Sequence, residues 1–326
     1  MKDEILSVLK ESRDYVSGEE LCRKLGVSRT AVWKAVNGLK EKGYVIESVR
    51  NRGYRLVDTP DVLLGEEIKS ILDTKWIAHD ILYFESIDST NNEIKRRAEA
   101  GAKEGLLAIA ECQTAGRGRR GRTWESPAGT GIWMSFLLKP DISPEKAPMI
   151  TLIAAMACAK AVNSVTGLKA GIKWPNDIVI NGKKVTGILT EMSAEPDCVS
   201  YVVVGIGINA NMTVFPEDIS ATATSIAIES GHKVSRSAVV AGFFRYFERY
   251  YEIFIKDGNL SSLRKEYESE LVNMNKQVAV ITPGGELRRK AVGINDEGEL
   301  LVEDDDKVVT AVRSGEVSVR GIYGYV

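Results

Sequence analysis

The chain has 326 residues, 44% of them hydrophobic and 27% charged, which excludes a disordered or fibrous protein and predicts two or three folded domains. The four cysteines, Cys22, Cys112, Cys158 and Cys198, form no CxxC pair; their spacing argues against a zinc site or disulfide framework and fits a reducing, cytoplasmic setting. The formal net charge of −2 is unevenly spread: residues 23 to 55 hold nine Lys or Arg against Glu41 and Glu47, a local +7.

The first sixty residues read as a run of short elements. Ile5, Val8 and Leu9 are spaced for a helix over 1–11, and the opening MKDEILSVLKES lacks the continuous apolar stretch of a secretory signal. A second helix starts at Ser17 with Glu20 three residues on and ends at Gly26; Ser28 opens a third. The LGVS connection has the length of a helix-turn-helix turn, and YVIES and GYRLV then predict two strands around a basic turn. Together these predict a winged helix-turn-helix over residues 1–60. In such a module the second helix of the motif enters the major groove. That would bring Ser28, Arg29, Thr30, Trp33 and Lys34 to base edges and Arg50 and Arg52 of the wing to phosphate or the minor groove. Trp33 is open between this role and the core, and the bland alternative is a small helical interaction domain. The local positive charge favours DNA, because neutralised phosphates supply sequence-independent affinity.

DTPDVLL at 58–64 has the proline and acidic residues of a linker. An α/β region is expected over 65–272. Its strand candidates are residues 105–112, 131–138, 172–180, 183–192 and 201–209; its helix candidates are 92–100, 149–165 and 239–254. The apolar run at 149–159 stops at Lys160, short of the ~18 residues of a membrane span. Asn181-Gly182 between two strand-like runs predicts a type I′ hairpin. Consecutive hairpins imply an antiparallel or mixed sheet and not a parallel dinucleotide-binding one. GIGIN at 205–209 lacks the rest of a dinucleotide fingerprint, so its glycines are expected to admit a ligand or another backbone at close range. Residues 273–326 carry short β-type runs split by PGG, NDEG and DDDK, the pattern of a small β-barrel of the SH3-like kind. The fold class is therefore α+β.

Only His79 and His232 are present, and neither lies near a polar glycine-rich cluster, so histidine chemistry is not expected; GxSxG and the P-loop are absent. What stands out is GRGRRGRTW at 116–124 and KWPND at 173–177. Glycines let backbone amides approach an anion, and guanidinium forks grip phosphate or carboxylate. Lys173 suits phosphate, and Asn176 and Asp177 offer oxygens to a hydrated Mg2+. Trp124 either lies on an adenine ring or packs over the closed loop. Taken singly, each residue also fits a structural role: a strand-end lysine, a capping aspartate, a core tryptophan.

GRGRRGRTW, KWPNDI at 173–178, KKVTGIL at 183–189, GIGIN and DSTN at 88–91 together resemble the bacterial biotin protein ligases, and the DNA-binding module makes the whole chain similar to the bifunctional ligase and biotin-operon repressor type. That resemblance implies that biotin and ATP, with Mg2+ and no fixed protein metal site, give biotinyl-5′-adenylate, and that biotin then passes to a lysine of a carboxyl carrier protein. It also implies operator DNA as a partner and a homodimer formed on adenylate binding. It assigns Ser89, Thr90, Asn91 and Gln113 to biotin, with Gly187 and Gly205 as pocket walls, and Gly116, Arg117, Arg119 and Lys184 to its carboxylate and the phosphate. Arg122, Trp124, Lys173, Asn176, Asp177, Asn209 and Arg320 fall to the nucleotide, with Asp177 alternatively orienting the acceptor lysine as base. The catalytic set is Lys184, Arg117, Arg119 and Asp177. Thr186 stands where a small apolar residue is expected. Rival readings are a biotin sensor without ligase activity, a lipoate ligase, and a DNA-binding protein whose arginine loop grips phosphate backbone.

Overall fold

The computed structural model describes residues 1–12, 14–282, 285–314, 318–321 and 325. It divides the chain into two compact units, Met1–Asp73 and Thr74–Val326.

In the first unit, α1 (Lys2–Glu11), α2 (Gly18–Leu25) and α3 (Arg29–Lys40) precede the hairpin of β1 (Val45–Val49) and β2 (Gly53–Asp58). The Ser17 and Ser28 hydroxyls accept from the Glu20 and Ala31 amides, and Gly26 closes α2 in the left-handed region. Ile5, Leu6, Leu9, Leu21, Val32, Val36, Leu39 and Ile46 form the core. The expected linker departs from the prediction. Leu63 is fully buried and Leu64 packs on the helical core. A further helix, α4 (Gly65–Lys69), then brings Glu67 to Lys10 at 2.5 Å and to the Tyr44 hydroxyl at 2.9 Å.

The second unit is built on a seven-stranded sheet in the order β3-β4-β5-β9-β8-β7-β6. Its elements are β3 (Ile81–Ile87), α5 (Thr90–Glu99), β4 (Leu107–Gln113), β5 (Ile132–Leu138), α6 (Ala147–Thr166), β6 (Gly171–Lys173), β7 (Asp177–Ile180), β8 (Lys183–Ala194) and β9 (Val199–Ile208). Then come α7 (Glu217–Ser220), α8 (Ile226–Ser230), α9 (Arg236–Asp257) and α10 (Arg264–Glu270). Only β3 and β4 run parallel, so the sheet is mixed. Every residue of β5 is buried because both faces are covered. Phe136 meets Phe243, Phe244 and Phe247 of α9, with ring centroids 4.8–5.8 Å apart, while neighbouring Leu137 joins Ile94 and Ala98 of α5.

Two local readings change. The run at 172–180 is not one strand but β6 and β7, paired antiparallel around Trp174, Pro175 and Asn176. The apolar stretch does not stop at Lys160: helix α6, expected over 149–165, spans Ala147–Thr166 with Lys160 inside it, paired with Glu270 at 2.9 Å and Glu266 at 3.2 Å. The helix is long and apolar enough by composition to cross a membrane, but most of it is buried in the core. At Asn181 and Gly182 both φ angles are positive, as a type I′ turn requires.

The last sheet is antiparallel, in the order β13-β12-β11-β10-β14, from β10 (Gln277–Thr282), β11 (Gly285–Ile294), β12 (Leu300–Glu303), β13 (Val309–Val312) and β14 (Ser318–Gly321). It belongs to the same compact unit as the larger sheet. The indole of Trp174 donates to the Gly298 carbonyl at 3.0 Å, and the Trp174 amide donates to Asn273.

Candidate active site

A pocket opens where β3 and β4 end and β8 and β9 pass beneath the arginine loop. Ser89, Thr90, Asn91, Gln113, Arg117, Arg119, Trp124, Asn176, Lys184, Gly187 and Gly205 all line it. Residues from five separate stretches of sequence thus share one cavity.

One end is uncharged and tightly bonded. Gln113 Oε1 accepts from the Thr90 amide at 2.9 Å, and Gln113 Nε2 donates to Ser126 at 3.0 Å. The Asn91 amide must donate through Nδ2 to the Glu191 carboxylate, 2.7 Å away, which leaves Oδ1 to accept from Ser135 at 2.5 Å. With its only proton spent on Asn91, Ser135 accepts from Thr90 at 2.7 Å. The polar groups at this end therefore fix one another's orientation. Burial alone would raise the Glu191 carboxyl, but hydrogen bonds from Asn91 and Lys95 hold it below its ordinary value. Just before Ser89, hydrogen bonds from Arg96 and Asn92 hold the Asp88 carboxyl well below the usual range.

The other end is cationic. The loop from Gly116 folds back on itself: the Trp124 amide donates to the Gly116 carbonyl at 2.9 Å and the Gly118 amide to Arg122 at 2.7 Å. A Cβ at Gly116 would lie 2.3 Å from the Trp124 carbonyl, so the closure requires glycine there. Arg119 donates to Asn176 at 2.7 Å, and burial lowers its guanidinium from the ordinary value. Lys184 Nζ stands 2.6 Å from Asp177 Oδ1 and 5.1 Å from the centre of the Trp124 ring. Lys173 is buried, with its ammonium 3.4 Å from the Tyr325 ring centre.

Other expected residues fall elsewhere. Arg122 is exposed on the loop outside the pocket lining. Asn209 is buried with its amide donating to the Thr224 carbonyl, where it braces the chain beside the site. Thr186 is fully buried away from the lining, and its hydroxyl has no hydrogen-bond partner among the described residues. The Arg320 side chain lies outside the described residues, although its backbone belongs to β14. Among the described residues no group of three His, Cys, Asp or Glu is placed to hold a metal ion.

In the N-terminal unit, Arg29, Thr30, Trp33 and Lys34 occupy the face of α3 opposite its buried Val32, Ala35, Val36 and Leu39. Trp33 is 57% exposed and is not a core residue. Ser28 is exposed at the cap, and Arg50 and Arg52 are exposed on the wing. The Arg52 guanidinium sits 4.3 Å from the Tyr15 ring centre and 3.3 Å from Asp14.

Comparison with known proteins agrees along the chain. The HTH domain family matches residues 2–55, the Biotin/lipoate A/B protein ligase family residues 83–209, and the Biotin protein ligase C terminal domain residues 274–320. The Bacillus subtilis bifunctional ligase/repressor BirA is 40% identical over 94% of this chain and 95% of its own length. The chain belongs to the bifunctional biotin ligase/repressor family. The Escherichia coli BirA is 30% identical over 97% of this chain and 96% of its own length. Among solved structures, the Aquifex aeolicus biotin protein ligase in complex with biotin and ATP superimposes with a TM-score of 0.65 at 28% identity, covering 74% of this chain and 99% of that one.

Within this family fold, the glycines of GIGIN admit side chains. A Cβ at Gly205 would meet Asn91 Oδ1 at 1.9 Å, and one at Gly207 would meet the Trp124 indole nitrogen at 2.5 Å. Gly187, paired with Gly207 across β8 and β9, makes room for the same indole, 2.9 Å from where its Cβ would stand. Ser135, Glu191 and Tyr325 were not anticipated from the sequence. Ser135 left a signal, a single hydroxyl inside the apolar run IWMSFLL; a buried hydroxyl needs a partner.

Proposed function

We propose that the chain activates biotin with ATP to biotinyl-5′-adenylate, transfers biotin to a lysine of a carrier protein, and represses transcription by binding operator DNA. The observation that carries this is the polarity of one pocket: oriented uncharged donors and acceptors at Ser89, Thr90, Asn91 and Gln113, and Arg117, Arg119 and Lys184 at the other side. A ligand with a neutral ureido head and a carboxylate tail fits that gradient.

In the first step a carboxylate oxygen bonds to the α-phosphorus of ATP and the bond to the bridging oxygen breaks, releasing pyrophosphate. In the second, the acceptor amine bonds to the acyl carbon, AMP leaves with the acyl oxygen's electron pair, and the amine loses a proton. Charge concentrates on the shared oxygens in both steps, where Lys184 and the two arginines offset it. The arginine loop orders further around the ligand, with Trp124 over the nucleotide. Mg2+ accompanies ATP. Asp177 does not fit as its ligand, because Lys184 holds one carboxylate oxygen and the Tyr325 hydroxyl donates to the other. The same engagement makes Asp177 the holder of the Lys184 ammonium and not a free base for the acceptor.

The exposed residues of α3 and the wing reach the operator, and two copies joined on adenylate binding span two half-sites. Mass spectrometry of the protein incubated with biotin, ATP and Mg2+ is expected to show retained biotinyl-adenylate, with pyrophosphate released. A preference for lipoate in direct competition, or no pyrophosphate from either acid, would overturn the ligase reading. Removing residues 1–73 is expected to abolish operator binding while the adenylate still forms. Raising salt from about 50 to 200 mM should weaken operator binding by tenfold or more, since each neutralised phosphate releases counterions; a flat response excludes this surface.

A further inference from the structure

Tyr325, from the C-terminal part of the chain, contacts Asp177 and Lys173 beside the pocket. Its hydroxyl donates to Oδ2 of Asp177, and its ring carries the Lys173 ammonium at 3.4 Å. The second oxygen of the same carboxylate, Oδ1, stands 2.6 Å from Lys184 Nζ. Four side chains from β6, β7, β8 and the C-terminal part of the chain therefore form one series: Lys173, Tyr325, Asp177, Lys184. Resting on the ligase reading above, we propose that Tyr325 is a positioning residue for adenylation, its hydroxyl fixing the Asp177 carboxylate so that Lys184 is presented to the reacting oxygens.

The chemistry favours this geometry at every member. A carboxylate held through one oxygen alone swings about its χ2 torsion, which is broad for aspartate. Held through both oxygens, it sets the direction of the ammonium. Sharing its charge with the phenol also weakens its grip on Lys184, which must turn part of its donor capacity to the phosphate. Burial and the neighbouring Asp177 charge push the Tyr325 phenol above its ordinary value, so it stays protonated and keeps donating. Lys173 on the ring face adds a cation–π contact that fixes the ring.

The test is a double-mutant cycle on the full-length protein, with biotin-dependent pyrophosphate release as the readout. Phenylalanine keeps the ring and its contact with Lys173 and removes only the hydroxyl. Tyr325→Phe is expected to lower kcat about tenfold, a typical loss for one hydrogen bond to a charged group. The KM for biotin should stay within about twofold, and Tm should fall by several degrees at most. In an Asp177→Asn background the same substitution should change kcat by less than about twofold. The proposal is overturned if Tyr325→Phe matches the wild type, if it costs the same in both backgrounds, or if its effect falls on biotin KM alone. Wild-type protein that releases no pyrophosphate would instead remove the ligase reading, and this proposal with it.

Discussion

Replacing Lys184 with alanine is expected to slow biotin-dependent pyrophosphate release by about a hundredfold to a thousandfold, the range found when one preorganised charge-stabilising donor is removed from an active site. The backbone around it should hold. The Lys184 amide donates to Thr222 at 2.7 Å and its carbonyl accepts from Thr224 at 2.8 Å. Neither bond involves the side chain. The cost in stability comes from Asp177, which loses its ammonium but keeps the Tyr325 hydroxyl. Losing one partner of a half-buried, still hydrogen-bonded carboxylate costs about 1–2 kcal/mol, a shift of several degrees in Tm at most for a unit of this size. Arginine is not an adequate substitute. The Lys184 ammonium is 3.1 Å from where a Cβ of Gly187 would stand, and a planar guanidinium needs more room than a compact ammonium. Steady-state pyrophosphate release and thermal unfolding on the same preparation decide the matter. Activity within about threefold of wild type, in folded protein, would remove Lys184 from the chemistry.

The readability of this protein from its sequence followed the physics of each segment. GRGRRGRTW, KWPND and KKVTG could be read because their residues sit at strand ends and turns, where glycine and charge have few structural reasons to recur together. The hairpin at Asn181-Gly182 was legible for the same reason, since two consecutive positive φ angles admit few residue pairs. Segments covered on all sides were harder. Helix α6 is buried around most of its circumference, so it shows no polar stripe, and Lys160, which interrupts its apolar run, is an ion pair to α10. The break between β6 and β7 is marked only by Trp174 and Pro175 inside a run that alternates like one strand. At 58–64, proline and aspartate outweighed Leu63 and Leu64 in the reading, although those leucines carry the packing. Tertiary partners such as Ser135 and Glu191 depend on register between strands far apart in sequence, which no local pattern encodes.

Register also makes Gly205 the most sensitive glycine of the site. Gly205→Ala is expected to destabilise the second unit by about 2–4 kcal/mol, the cost of an intruding methyl plus disrupted buried hydrogen bonds. The new Cβ would stand 1.9 Å from Asn91 Oδ1 and 2.7 Å from its Cγ. Asn91 has little freedom to yield: it accepts from Ser135 at 2.5 Å and donates to Glu191 at 2.7 Å. Displacing it also disturbs Thr90, which Ser135 contacts at 2.7 Å, and through Thr90 the Gln113 amide. Biotin binding should therefore weaken at least about tenfold, as expected when oriented hydrogen-bonding groups of a pocket lose their partners. Asn91→Ala removes the obstructing amide and leaves Glu191 paired with Lys95 at 2.5 Å. In the Asn91→Ala background, Gly205→Ala should then cost less than half of what it costs alone, because the two groups no longer compete for one volume. Calorimetric biotin titration and urea unfolding of the two single variants and the double variant read out both effects. If the costs add, the clash is not the cause, and the glycine is required for some reason other than the space that Asn91 fills.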